Sequence, residues 1–117
     1  MAGKETKELV KLAYEAADDK RAIDIKTLNI SEISLVADYF LICSGRTDVQ
    51  VKAISQNIEH VLEEEAELRP RRVEGKNKGT WVLMDYGSIV VHIFREKERE
   101  YYNLERLWAD AQEIDFE

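Results

Sequence analysis

At 117 residues, 44% of them apolar and 35% charged, the chain has the size and balance of one folded, water-soluble domain, which argues against wholesale disorder. Its net charge of −7 largely excludes the broad basic surface with which proteins hold bare DNA or RNA. A single cysteine, Cys43, excludes an intrachain disulfide and suits a reducing compartment.

From Lys4 to Lys20, Leu9, Leu12, Ala13 and Ala16 recur at helical spacing with lysine and glutamate between them, which predicts a first helix. AIDIKTLNI follows as a half-buried strand carrying Ile23, Ile25, Leu28 and Ile30, and SEISLVA as a turn or helical loop. DYFLICSG reads as a buried strand, apolar on both faces and ending at Gly45, with Cys43 inside it and therefore expected to be buried. Thr47 or Asp48 can cap a long second helix whose buried stripe is Val51, Ile54, Ile58, Val61 and Leu62 and which Pro70 ends; Glu63, Glu64 and Glu65 lie on its solvated face.

A short strand is expected around Val73, within a basic segment that sets Arg69, Arg71, Arg72, Lys76 and Lys78 against Glu74 alone. The rest of the chain carries 12 basic and 23 acidic residues, so the molecule is an acidic body with one basic loop. Such a body suits a basic protein partner, since complementary fields steer association, although an acidic surface also serves solubility alone.

GTWVLMDYGSIVVHIF then predicts a hairpin closed by Asp85-Tyr86-Gly87, with glycine as the left-handed turn residue. In that register Met84 opposes Ser88, so that Trp81, Leu83, Ile89, Val91 and Ile93 share one face while Val82, Met84, Val90, His92 and Phe94 share the other. A one-residue slip would bring Trp81 beside His92. Both faces are apolar, so either helices cover both or one of them, that of Trp81 and Leu83, docks another protein.

EKEREYYNLERLWADA predicts a last helix with Tyr101, Leu104, Leu107, Trp108 and Ala111 on one stripe, and residues 113–117 are expected to fray. The order helix, strand, strand, helix, strand, strand, strand, helix predicts an α/β (α+β) fold: a single domain spanning residues 1–117, a mixed sheet packed by helices. No uncharged apolar run reaches the roughly 20 residues of a membrane span, and the start lacks a secretory or organellar leader, so a bacterial cytoplasm is the expected location.

Chemistry has few candidates. His92 lacks an evident second group to orient it as a base, and His60 falls on the polar side of the second helix. Cys43, His60 and His92 have no metal-ligand spacing, so neither a metal nor a cofactor is expected. SGRTDV could present backbone amides to phosphate, and Ser44, Asp48 and Asp85 make up the alternative reading as a nucleotide-handling enzyme. A nucleotidyltransferase, however, needs two carboxylates one residue apart to hold catalytic metal ions, and Asp48 is followed by Val49 and Gln50.

DYFLICSG, the turn from Arg46 to Val49, VEG at 73–75, WVLMDYGSIVVHIF and YYNLERLW at 101–108 together resemble, in order, the ribosomal silencing factors, also called the Iojap family. The likeness runs from about Leu9 to Ala111. It implies a nucleotidyltransferase-like topology without the activity, and a protein that binds the large ribosomal subunit through the ribosomal protein numbered fourteen. Bound there, family members hinder joining of the small subunit and damp translation when nutrients run short.

The family's hairpin signature falls on Trp81, Leu83, Asp85, Gly87 and His92, and its final-helix signature on Tyr102, Leu104, Glu105 and Trp108. Trp81, Leu83, Asp85 and His92 are thereby the expected partner-binding residues, Gly87 the turn and Trp108 mainly core. Ser88 stands where similar sequences commonly carry an acid. The resemblance also implies that members can self-associate, as a homodimer does, while the charge of Arg69, Arg71, Arg72, Lys76 and Lys78 leaves two readings, a solvated loop or a minor contact to rRNA phosphates.

Overall fold

In the computed structural model, which describes residues 5–116, the chain forms a six-stranded mixed sheet with helices on both faces. The elements are α1 (Thr6–Asp19), β1 (Ile23–Asn29), β2 (Tyr39–Gly45), α2 (Asp48–Ala66), β3 (Arg72–Glu74), β4 (Trp81–Asp85), β5 (Ile89–Arg95), α3 (Glu96–Tyr102), α4 (Leu104–Leu107) and β6 (Gln112–Ile114). The strands lie in the order β3-β4-β5-β2-β1-β6, every neighbouring pair antiparallel except β2 with β5. The β2 to β5 crossover carries α2. Among the described residues no helix is long and apolar enough to cross a membrane.

One face of the sheet is sealed by α1 and α2. Leu41, Cys43, Val82, Met84, Val91 and Ile93 meet Val51, Ile54, Ile58 and Leu62 from α2, together with Val10, Ala13, Ala16 and Ala17 from α1. The buried stripe of α1 is turned from the expected one: Val10 and Ala17 lie inside, and Leu9 and Leu12 are half-buried at its edge. Three alanines without long side chains allow α1 this approach, and Asn57 donates to the Ala16 carbonyl at 2.8 Å across the helix pair. The start of the first helix expected at Lys4 lies outside the described residues.

Thr47 caps α2 by accepting from the Gln50 N–H at 3.0 Å. The helix stops before Pro70 is reached. Glu67 turns left-handed at φ 53°, and the Glu67 and Leu68 amides bond back to Glu63 and Leu62, satisfying carbonyls that would otherwise be orphaned. Glu63, Glu64 and Glu65 are solvated and Cys43 is fully buried, as the sequence leads one to expect.

The hairpin register differs from the expected one. Trp81 pairs with Phe94, Leu83 with His92, Met84 with Val91 and Asp85 with Val90, and the Tyr86 N–H donates to the Ile89 carbonyl at 2.9 Å. Only Gly87 and Ser88 are left at the tip. One local and one distant contact select this arrangement: the Asp85 carboxylate accepts from the Gly87 N–H at 2.8 Å, and Tyr86, freed from the loop, is buried on the α1/α2 side. Gly87 keeps its expected left-handed role at φ 87°. The consequence is that Trp81, Leu83, Val90, His92 and Phe94 share one face.

The predicted last helix is broken. Asn103 adopts φ 46°, a conformation asparagine tolerates, and separates α3 from the single turn α4. The segment expected to fray instead begins inside β6, which pairs with Thr27–Asn29 of β1, and Phe116 packs edge-on against Tyr14 at 5.5 Å. Glu117 and the side chain of Leu107 lie outside the described residues.

Candidate functional site

The second face of the sheet is covered in part. Leu28, Ile30, Ala37, Ile42, Val90 and Phe94 are buried there, with Leu104, Trp108 and Ala111 closing over the side near β1 and β2. Towards β4 the cover stops, leaving Trp81, Leu83 and Asp85 half-exposed while His92 beneath them is 5% exposed.

Aromatic rings cross this face in a row. Trp108 meets Phe40 edge-on at 5.0 Å, Phe40 meets His92 edge-on at 5.0 Å, His92 lies 6.0 Å from Trp81, and Trp81 stacks on Phe94 at 4.8 Å and touches Tyr102 at 4.8 Å. The indole Nε1–H donates to His92 Nδ1 at 3.2 Å. An accepting Nδ1 leaves the imidazole proton on Nε2, which has no hydrogen-bond partner among the described residues. The Trp81 backbone is also fixed from the other side: a side chain at Gly75 would place its Cβ 2.0 Å from the Trp81 carbonyl oxygen, so only glycine fits there.

Burial lowers the His92 pKa to about 4, because the apolar ring cluster does not solvate a charged imidazolium. The unfolded chain takes up a proton near pH 6.5. The stabilisation is therefore full above that value and is lost as pH falls towards 4. About 2 kcal/mol should be lost by pH 5 from this residue alone. Urea unfolding of the wild type and of His92→Gln at pH 7, 6 and 5 checks this, since the difference between the two curves should shrink by that amount on acidification.

The sequence alternative of Ser44, Asp48 and Asp85 is not assembled. Through the paired register of β2, β5 and β4, Ser44 sits level with Phe94, and Asp85 level with Val90, four residues or about 13 Å along the strands. Asp85 is occupied at the hairpin tip, 3.9 Å from both Arg71 and Arg72. His60 is exposed on α2, and among the described residues no three His, Cys, Asp or Glu side chains are grouped to hold a metal ion. Burial pushes the Cys43 thiol up to about 12, so it is inert as a nucleophile.

The basic segment is less basic than its composition. Arg69 pairs with Glu63 at 2.8 Å, Arg72 with Glu74 at 2.9 Å and Lys76 with Glu59 at 3.2 Å, so the acids of α2 and β3 offset much of its charge.

One residue of consequence escaped sequence reasoning. Arg99, inside the run EKERE, is 8% exposed and ties three parts of the fold together. Its Nη1 donates to Ser44 Oγ at 2.9 Å and to the Ile23 carbonyl at 3.2 Å, while Nη2 and Nε hold Glu105 at 3.0 and 3.4 Å. Burial opposes ionisation of Glu105, yet its hydrogen bond and proximity to Arg99 outweigh this and hold the carboxyl below its usual range. A shallow cavity of 360 Å³ beside the pair is lined by Asp24, Glu96 and Glu100. The only sequence signal was an arginine six residues before a glutamate of the final-helix signature.

The chain matches the family described as "Ribosomal silencing factor during starvation" over residues 3–117. It is 50% identical over 105 residues to Ribosomal silencing factor RsfS of Bacillus subtilis, spanning 90% of this chain and 88% of that one. A crystal structure of a protein from Bacillus halodurans superimposes with a TM-score of 0.84 at 42% identity, covering 95% of this chain and 100% of the other. One from Chromobacterium violaceum gives 0.88 at 34% identity, covering 97% and 92%.

Proposed function

The chain belongs to the ribosomal silencing factor family, and from that premise we propose that it binds the large ribosomal subunit and blocks joining of the small one. The observation that carries this reading is the half-open aromatic face of Trp81, Leu83 and Phe40 on an acidic body. A tryptophan held rigid by a hydrogen bond and a stacked ring loses little freedom on binding, which is what an interface anchor requires.

The partner is a basic ribosomal protein, the one numbered fourteen in the large subunit. Trp81 and Leu83 supply apolar contact, Asp85 exchanges its long contacts to Arg71 and Arg72 for a cation at the rim, and His92, whose Nε2 is buried, acts by holding the indole in place. The ion pairs of Arg69, Arg71, Arg72 and Lys76 are exposed and cost little to exchange, so these residues and Lys78 make a minor contact to rRNA phosphates. No bond is made or broken: a body measuring 37 × 32 × 27 Å obstructs a subunit bridge by its volume, and repression under nutrient limitation follows from occupancy. The protein acts in the cytoplasm without a cofactor, and it forms a homodimer.

Sedimentation of the purified protein with separated subunits tests this. It should travel with large subunits and stay behind when mixed with small ones, and binding should weaken as salt rises, as expected for an acidic protein on a basic one. Equal partition between the two subunits would refute it.

A further inference from the structure

A stable interface removes about 800 Å² from each partner, a sizeable share of the 7170 Å² surface here. Trp81 and Leu83, already half-buried, supply only part of that area, so the docking surface extends beyond them. The loop between β1 and β2 shows where. Ile33, Leu35 and Val36 are 48%, 106% and 81% exposed, three aliphatic side chains within four positions held in water.

The loop belongs to the same face. Its roots, Ile30 and Ala37, are buried in the cluster that contains Phe40, Trp81, Leu83 and Trp108. Its end is bonded to the hairpin, since the Asp38 and Tyr39 amides both donate to the Ser88 carbonyl, at 2.8 and 3.1 Å. The shape is set before any partner arrives: the Ile30 N–H donates to the Asp38 carbonyl at 2.8 Å, Ser31 to the Asn29 side chain, and the Val36 N–H to Ser34 Oγ at 3.1 Å. Aliphatic side chains carried on a backbone already held in place leave water on binding with less ordering of the chain than a free loop would need.

The rim selects the occupant. Glu32 and Asp38 are exposed beside the aliphatic residues. Carboxylates repel phosphate, and in a second copy of this chain they would face one another; a basic protein surface accepts them. We infer that Leu35 and Val36, with Ile33 behind them, form the second half of the docking surface and insert into an apolar recess of the same basic protein. This rests on the reading that the Trp81 face binds such a protein.

The test compares wild type, Trp81→Ala and the double variant Leu35→Ser/Val36→Ser in titrations against purified large subunits, with self-association followed by sedimentation equilibrium. Both loop positions lie in water, so the thermal midpoint of the double variant should match wild type. Its subunit affinity should fall at least 30-fold, with self-association unchanged. Wild-type and double-variant affinities that agree, while Trp81→Ala binds weakly, overturn the loop assignment alone. A wild type that does not bind large subunits overturns both readings. Lost self-association with undiminished subunit affinity assigns the loop to a second copy and overturns the proposal. So does a loss of affinity that persists on subunits stripped of the basic protein, because it places the loop against RNA.

Discussion

Replacing Arg99 by methionine is expected to lower the unfolding free energy by about 3 to 5 kcal/mol, a large part of the 5 to 15 kcal/mol that stabilises a domain of this size. Methionine fills much of the space but leaves the Glu105 carboxylate, Ser44 Oγ and the Ile23 carbonyl without the cation they surround. The cost is that of a part-exposed carboxylate and two acceptors, one of them the buried Ser44 Oγ, left without their donor. Because Arg99 stands on α3 while its partners lie on β1, β2 and α4, the damage should spread to the cover over the aromatic face. Denaturant unfolding measures the loss. Adding Glu105→Leu should recover part of it, since an apolar pair replaces an ion pair far more cheaply than a broken one persists. A single variant as stable as wild type would show that the guanidinium is not a structural tie.

Trp81→Ala is expected to weaken binding to the large subunit by about 2 kcal/mol or more, roughly 30-fold, as for a buried interface anchor. The same change removes the stack on Phe94 and the donor to His92, so the protein also loses stability. Affinity must therefore be measured well below the melting transition, with circular dichroism showing the fold retained. Undiminished affinity in a folded variant would remove Trp81 from the interface. His92→Gln separates the two roles: it retains an acceptor for the indole, and its binding should suffer less than that of Trp81→Ala.

Much of this architecture can be read along the chain because local signals agree with it. Helical periodicity locates α1 and α2, continuous apolar runs locate β2 and β5, and the charge asymmetry around positions 69–78 is plain. All the failures but one share a cause, which is that contacts distant in sequence decided them. Tyr86 looks like a turn residue until a buried slot on the α1/α2 side is available to it, and once it enters the sheet Trp81 and His92 become neighbours. The end of the chain reads as tail until β1 offers an unpaired edge. Arg99 reads as a solvated charge because its partners Ser44 and Ile23 are 55 and 76 residues away. Asn103 is the exception, since an asparagine after two tyrosines was a local mark of a left-handed helix end.

At the proposed site, the residue identities were legible and their mutual geometry was not. Trp81, Leu83, Asp85 and His92 stand out by type and by the family's signature, yet the hydrogen bond that makes the histidine an acceptor and holds the indole follows from register alone. The exposed trio in SEISLVA was hidden for the opposite reason: in sequence the segment reads only as a turn or helical loop, and periodicity there does not say which apolar residues stay in water.

The yield of joined ribosomes, measured by light scattering as small subunits are added to large subunits preloaded with increasing protein, probes the mechanism directly. Joining should fall in proportion to the fraction of large subunits that carry the protein and return with Trp81→Ala at equal concentration. Full joining while every large subunit remains loaded would contradict steric exclusion.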